Sequence, residues 1–149
     1  MAKLYAIVGS MERARIMLNA GVPYLQLRYK DAPLEPHRAE IGQWAERYPK
    51  TRLIINDDLD AAVKLGAWGV HLGQEDLHRY PLETVRDSPL AVGISTHSEA
   101  EIERALACDP ALLGFGPIFS TTTKQVGHAP QGVTRLQKMV SRAQGTHLP

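Results

Sequence analysis

Gly114-Phe-Gly-Pro-Ile-Phe-Ser-Thr-Thr-Thr-Lys124 is the stretch that decides the fold, because it joins an apolar strand to a polar, cationic end. The strand is predicted over 111–119, and the hydroxyls of Thr121, Thr122 and Thr123 precede the ammonium of Lys124. Hydroxyls donate single hydrogen bonds and lysine supplies a compact positive charge, so these groups suit phosphate oxygens. A polar turn without a ligand is the alternative. Phosphate binding gains weight because three other predicted strands end in a similarly polar way.

Short apolar runs alternate with segments of helical spacing six times along the chain. The predicted strands are residues 4–8, 24–28, 52–55, 69–72, 90–94 and 111–119. Strand–helix alternation with short connections predicts parallel strands joined by right-handed crossovers.

Apolar residues in the intervening segments recur at the spacing of one helix face. The predicted stripes are Ala14, Met17 and Leu18; Ile41, Trp44, Ala45 and Tyr48; Ile102, Ala105 and Leu106; and Val133, Leu136 and Val140. The sequence Ser98-Glu-Ala-Glu101 predicts a capping box at the start of the third of these stripes.

Two architectures fit this alternation, an open doubly wound sheet and a (β/α) barrel. No G-x-G-x-x-G motif follows the first strand, which disfavours a dinucleotide-binding sheet. Polar residues gather at the carboxyl ends of several strands, where a barrel builds its active site. We therefore predict an α/β fold of the TIM-barrel type, with residues 1–149 as a single domain.

The predicted barrel is incomplete. A barrel of this type has eight βα units and about 250 residues, whereas six units are counted in these 149 residues. The chain stops about where a seventh strand would begin, and the first and sixth strands would then be unpaired edges. We expect such edges to associate with a second copy, which gives a homo-oligomer, or to require the missing units.

Charge and cysteine content exclude several classes of protein. The 17 basic and 16 acidic side chains are interspersed, and the absence of a basic stripe argues against a nucleic-acid partner. The apolar run at 4–8 is too short for a signal peptide or a membrane span. The single cysteine, Cys108, excludes a disulfide framework and fits a reducing compartment. We expect a soluble, cytoplasmic protein with no membrane partner.

The second predicted strand ends in a glutamine and two cations. Alternation directs Gln26, Arg28 and Lys30 to one side of the strand. Such a group at a barrel mouth suits a diphosphate. A solvated strand end is the alternative.

The third and fourth predicted strands run into carboxylates. Asn56, Asp57 and Asp58 follow the third strand, and Asp76 closes the polar segment after the fourth. Two carboxylates from adjacent strand ends can share one Mg²⁺, which takes oxygen ligands and often bridges to substrate phosphates. Either Asp57 or Asp58 would also serve as the N-cap of the following helix.

The fifth predicted strand ends in hydroxyls and a histidine. Ser95 is a candidate for substrate binding, and His97 is a candidate acid–base group near neutral pH. The alternative is that this segment, through Thr96 and Ser98, only caps the next helix.

Taken together, these stretches resemble thiamine-phosphate synthase. The matching pieces occur in family order and are Gln26-Leu-Arg28-Tyr-Lys30, Asn56-Asp57, Gly69-Val-His-Leu-Gly-Gln-Glu-Asp76, Gly93-Ile-Ser-Thr-His97 and Gly116-Pro-Ile-Phe-Ser-Thr-Thr-Thr-Lys124. The resemblance implies a TIM barrel that condenses hydroxymethylpyrimidine diphosphate with a thiazole phosphate in thiamine biosynthesis. The products would be thiamine phosphate and pyrophosphate. The implied cofactor is Mg²⁺.

The resemblance also implies a role for each matching residue. The implied contacts to the pyrimidine diphosphate are Gln26, Arg28, Lys30, Asn56 and Lys124, and Ser95 is an implied contact on the pyrimidine side. The implied Mg²⁺ ligands are Asp57 and Asp76. The loop implied to receive the thiazole phosphate contains Thr121, Thr122 and Thr123. Catalysis is expected from Lys124, Arg28 and Ser95. Two departures are visible: Tyr29 stands where many members carry an acidic residue, and the family's loops after strands seven and eight lie beyond the sequence.

Two other functions fit parts of the pattern. A thiazole tautomerase, an isomerase on a similar barrel, uses a histidine at about the position of His97 but does not need the diphosphate-binding cations. The second alternative is an inactive fragment. It would bind a phosphate ligand, or it would bind a partner chain through its sheet edges. The synthase is favoured because the residues for the diphosphate and its metal are all present, namely Arg28, Lys30, Asp57, Asp76 and Lys124.

Overall fold

The computed structural model describes residues 4–29, 33–120 and 129–143. The chain divides into two compact units, one of Met1–Leu72 with Pro89–Ala91 and the other of Gly73–Ser88 with Val92–Pro149. Lys30, Thr121, Thr122, Thr123 and Lys124 lie outside the described residues.

The first unit contains four strands and three helices in strict alternation. These are β1 (Tyr5–Val8), α1 (Met11–Asn19), β2 (Tyr24–Leu27), α2 (Arg38–Arg47, preceded by a 3-10 turn at Glu35–His37), β3 (Arg52–Asn56), α3 (Leu59–Lys64) and β4 (Gly69–Leu72). The predicted strands are confirmed with boundaries that differ by one residue at most.

The four strands of this unit are parallel and pair in sequence order. Tyr5 is in register with Tyr24, and Tyr24 with Arg52. Ile54 is in register with Gly69 one strand further on. The predicted parallel sheet is therefore present.

One face of this sheet and one stripe of each helix form the core. The buried strand residues on this face are Val8, Leu25, Leu27, Leu53, Ile55, Val70 and Leu72. Helix α1 contacts β1 and β2, while α3 contacts β3 and β4. Ala14, Leu18, Ile41 and Trp44 are buried as predicted. Ala45 is exposed, so its predicted place in the buried stripe is wrong. Full burial of one large aliphatic side chain is worth about 1.5–3 kcal/mol, so this face accounts for much of the unit's stability.

The second unit contains the remaining elements. These are α4 (Gln74–Leu77), α5 (Leu82–Arg86), β5 (Ala91–Thr96, whose first residue belongs to the first unit), α6 (Glu99–Leu106), β6 (Leu112–Phe115) and α7 (Gly132–Ala143). Strands β5 and β6 are parallel, with Gly93 opposite Leu112 and Thr96 opposite Phe115. The fold is thus α/β with six parallel strands.

Two sequence expectations for this unit are wrong. Strand β6 ends at Phe115 rather than at residue 119, because Pro117 has no N–H with which to continue a ladder. In α7, Val133 and Val140 are 50% and 45% exposed, and the buried residue is Met139. The same helix carries Lys138 and Arg142, which bind the carboxylate of Glu99 at 2.8 Å each.

Among the residues the structure describes, no helix has the length and apolar character needed to cross a membrane.

Candidate active site

Gln26 and Arg28 lie at the carboxyl end of β2, on the side opposite to Leu25 and Leu27. Gln26 is only 2% exposed, and its Nε2 donates a hydrogen bond to the Tyr5 hydroxyl at 3.1 Å. The backbone N–H of Arg28 donates to the Val8 carbonyl at 2.8 Å, so Arg28 continues the pairing of β2 with β1. The predicted strand alternation therefore agrees with the structure for these two residues.

Asn56 and Asp57 lie at the carboxyl end of β3. Asn56 is in register with His71, and the backbone N–H of Asp57 donates to the His71 carbonyl at 2.8 Å. Leu27 and Ile55 form the last pair of β2 with β3, and Arg28 and Asn56 are the residues that directly follow this pair. A cation and an amide are therefore neighbours at this edge of the sheet.

Asp57 holds a left-handed backbone conformation, with φ at 67°. Aspartate is one of the few residue types other than glycine that adopt this conformation readily. It turns the chain so that Asp58 becomes the N-cap of α3, where Oδ1 accepts from the Ala61 N–H at 2.8 Å. The N-cap role that sequence left open between two aspartates belongs to Asp58, and the carboxylate of Asp57 is not the cap.

In the second unit, Asp76 is a buried carboxylate, 8% exposed, in the first turn of α4. Its Oδ2 accepts from the Gly73 N–H at 2.8 Å, and its Oδ1 lies 3.7 Å from Arg79 Nη1. Acceptance of a backbone N–H at a helix start stabilises the charged form of a carboxylate. Asp76 thus has a capping role at the start of α4.

Ser95 lies in β5 opposite Gly114 of β6. Its backbone carbonyl accepts from Gln74 Nε2 at 2.7 Å, so a side chain of α4 fixes the backbone that presents the serine. The neighbouring Thr96 is buried and its hydroxyl donates to the Gly114 carbonyl at 3.0 Å. Thr96 therefore secures β6 and does not cap a helix.

The capping box at α6 is present in a shifted form. Ser98 Oγ accepts from the Glu101 N–H at 3.2 Å, as predicted. The Glu101 carboxylate, however, accepts from the His97 N–H at 2.7 Å and lies 3.1 Å from His97 Nδ1. A carboxylate at Nδ1 favours a proton on that nitrogen and fixes the orientation of the ring.

The candidate residues are distributed over both units. Gln26, Arg28, Asn56 and Asp57 belong to the first unit, where β2 and β3 bring them to one sheet edge; Asp76, Ser95 and His97 belong to the second. The described part of the chain contains no group of three or more His, Cys, Asp or Glu that could hold a metal ion.

Sequence reasoning missed two residues that contact the candidate site, Tyr5 and Gln74. The Tyr5 hydroxyl accepts a hydrogen bond from Gln26. The Gln74 side chain donates a hydrogen bond to the backbone carbonyl of Ser95. Both contacts connect different elements, and nothing in the local pattern of either residue indicates its partner. Cys108 is buried, and burial raises the pKa of its thiol, so it is not an activated nucleophile.

An α/β protein of parallel strands with polar groups at the carboxyl ends of those strands binds its ligand at these ends. Residues 4–149 match the family model described as thiamine monophosphate synthase. The chain is 41% identical over 146 residues to the thiamine-phosphate synthase of Neisseria meningitidis serogroup B, and 44% identical over 142 residues to that of Escherichia coli O6:H1. The chain belongs to the thiamine monophosphate synthase family.

Comparison with a solved structure also relates the chain to an enzyme of thiamine phosphate. The chain is similar to thiamine phosphate pyrophosphorylase from Pyrococcus furiosus, with a TM-score of 0.73 and 27% sequence identity over 99% of this chain and 72% of that one. The matches cover 97% of this chain and 71% of the Neisseria relative, and 93% and 67% for the Escherichia relative. The chain therefore spans about two thirds to seven tenths of the length of the proteins it resembles.

Proposed function

We propose that this chain is a thiamine-phosphate synthase: a transferase that condenses hydroxymethylpyrimidine diphosphate with a thiazole phosphate to give thiamine phosphate and pyrophosphate. The observation that carries the proposal is the family match over residues 4–149. The site chemistry agrees with it, because Gln26, Arg28, Asn56 and Asp57 lie at the carboxyl ends of two adjacent strands. The site is further proposed to belong to a TIM-type barrel.

The residues of the first unit suit the pyrimidine diphosphate. Departure of the diphosphate leaves positive charge on the pyrimidine methylene carbon, which the thiazole nitrogen then captures. The Arg28 guanidinium binds phosphate oxygens through a fixed fork of donors, and Asn56 adds an amide beside it. Fixed donors aimed at the departing group stabilise the charge that develops there. Lys30, Lys124, Ser95 and the hydroxyls of Thr121, Thr122 and Thr123 are proposed to complete the set.

We propose Mg²⁺ as the cofactor. Asp57 and Asp76 would hold it, because both offer carboxylate oxygens and Mg²⁺ is commonly bound by one or two carboxylates together with substrate phosphates. When bound, the ion neutralises charge on the leaving diphosphate.

The cytoplasm is the proposed location. The one thiol of the sequence, Cys108, is buried and unpaired, as expected in a reducing compartment.

Pyrophosphate release from the pyrimidine diphosphate, measured with and without the thiazole phosphate, tests this function. We expect release that depends on both substrates and on Mg²⁺. Arg28→Ala should reduce kcat/KM by about tenfold or more, the value of one charge-assisted contact. Arg38→Ala, which removes a half-exposed arginine from α2, is the matched control and should leave the rate unchanged. Absence of any thiazole-dependent release would contradict the proposal.

The contact between His97 and Glu101 favours a second candidate, a thiazole tautomerase. A histidine whose Nδ1 is held by a carboxylate is equipped to transfer a proton at Nε2. Isomerisation of a thiazole phosphate in the absence of the pyrimidine, abolished by His97→Asn and insensitive to Arg28→Ala, would support this activity over the synthase.

A further inference from the structure

The Gln26 amide has one side-chain hydrogen bond among the described residues, the bond that its Nε2 donates to the Tyr5 hydroxyl at 3.1 Å. Gln26 is 2% exposed. Its neighbours in register are Ile7 of β1 and Ile54 of β3, both of which are apolar. Among the described residues, the Tyr5 hydroxyl is therefore the polar side-chain group that orients this buried amide.

Tyr5 is itself held in place by a stacked layer at the beginning of the strands. Its ring stacks on Tyr24, with 6.0 Å between centroids and 14° between planes. The Tyr24 hydroxyl accepts from Arg52 Nη1 at 2.7 Å, and the Arg52 guanidinium lies 4.8 Å from the ring centroid of Trp68. Aromatic stacking and cation–π contact both restrict ring movement, so the hydroxyl reaches Gln26 from a fixed position.

The orientation of a glutamine amide is decided by hydrogen bonds, because its oxygen and nitrogen ends have nearly the same shape. The two ends point in different directions from the amide carbon. With Nε2 bound to Tyr5, Oε1 is directed away from Tyr5 and is the group available to a ligand. Burial raises the pKa of Tyr5, so the hydroxyl stays neutral at physiological pH.

We propose that Tyr5 is a positioning residue: it fixes the amide of Gln26 so that Oε1 accepts a hydrogen bond from an exocyclic amine on a heterocyclic ligand. The inference rests on the proposed function, in which Gln26 contacts the pyrimidine. Tyr5 would not contact the ligand itself. By orienting Gln26, it would make the site prefer a ligand ring that carries an amine over one that carries a carbonyl.

The test compares binding of a 4-aminopyrimidine diphosphate with that of its 4-oxo analogue, by calorimetry on the full chain. The parent should prefer the amine. Tyr5→Phe keeps the stacked ring but frees the amide to present either end, so this preference should fall by about tenfold, the value of one hydrogen bond. Tyr24→Phe removes a hydroxyl from the same layer without touching Gln26 and should keep the preference. In a Gln26→Leu background, Tyr5→Phe should have no further effect on it.

Equal weakening of both compounds by Tyr5→Phe would assign Tyr5 a structural role and overturn the inference, as would a parent that prefers the 4-oxo compound. A parent that binds neither compound would contradict the proposed function, and with it the ligand assigned to Gln26. The contact itself is measured separately, without ligand, from the side-chain amide resonances of Gln26. These should shift in Tyr5→Phe and not in Tyr24→Phe, and unchanged resonances in Tyr5→Phe would show that the hydroxyl does not hold the amide.

Discussion

Asp58 and Ala61 are joined by the N-cap bond of α3, in which Asp58 Oδ1 accepts from the Ala61 N–H at 2.8 Å. The cap is one residue beyond Asp57, whose left-handed backbone places it outside the helix. Two adjacent aspartates therefore have different roles. Asp58 satisfies a helix terminus, and Asp57 is one of the two proposed Mg²⁺ ligands.

Asp58→Ala should destabilise the fold by about 1 kcal/mol, because loss of an N-cap acceptor leaves helix N–H groups unsatisfied. Urea unfolding gives the value. The matched change Asp57→Asn, which keeps a side chain suited to the left-handed conformation, should alter stability by less. A larger loss in Asp57→Asn than in Asp58→Ala would contradict this division of roles.

Asp57→Asn and Asp76→Asn should each raise the Mg²⁺ concentration needed for half-maximal pyrophosphate release. Replacing one anionic oxygen by an amide weakens binding of a hard cation. Asp58→Asn is the control and should not change the requirement. Variants at positions 57 and 76 that need no more Mg²⁺ than the parent would exclude both residues as ligands.

Local features of the fold could be predicted from the sequence, and features set by register could not. The Ser98 cap of α6 depends on residues three apart, so sequence sufficed. The choice between Asp57 and Asp58 depends on a backbone angle that both residues tolerate. The contact between Tyr5 and Gln26 requires the pairing of β1 with β2, which connects residues 21 positions apart.

The last helix shows a different cause of error. Val133, Leu136 and Val140 have the spacing of one face, yet the residue buried is Met139. A stripe indicates that a helix is amphipathic, but contacts with the neighbouring helix decide which side is covered. The ion pairs of Glu99 with Lys138 and Arg142 accompany an orientation different from the one the valines predicted.

Gly69→Ala should destabilise the first unit by about 1–3 kcal/mol, the usual cost of forcing extra atoms into a packed region. A Cβ at this position would lie 2.6 Å from the Ala91 carbonyl oxygen, so the backbone must move. Gly42→Ala is the matched control. It lies in α2 with no atom within 4 Å of the added carbon, and it should stabilise the helix by about 0.5–1 kcal/mol. Equal effects at the two positions would contradict the close approach.

Stability should depend on pH through Glu40. Arg15 donates two hydrogen bonds to its carboxylate at 2.7 Å each, and these hold the pKa of Glu40 below its usual value. A carboxyl whose pKa is lower in the folded state stabilises the fold above the unfolded pKa, and this contribution is lost as the pH falls through the folded pKa. Glu40→Gln should therefore lower the unfolding midpoint slightly at neutral pH and leave it unchanged in strong acid. Glu35→Gln, which breaks a longer pair of 3.4 Å, should have a smaller effect at neutral pH. If the unfolding midpoint of Glu40→Gln stays below that of the parent in strong acid, the loss of stability is due to packing and not to the ion pair.

The exposed side chains of β1 should promote self-association. Among the described residues β1 pairs with β2 alone, and Leu4 and Ile7 are 61% and 59% exposed. An edge strand combines free backbone donors and acceptors with apolar side chains, so a second copy gains hydrogen bonds and buried area by pairing with it. Ile7→Thr keeps the branched Cβ that favours a strand but removes apolar surface. Sedimentation at several concentrations should show weaker association for Ile7→Thr than for the parent. Val63→Thr makes the same kind of change at a 48% exposed position on α3 and should leave association unchanged, because a helix surface offers no unpaired ladder. A parent that stays monomeric at every concentration would show that this edge is protected.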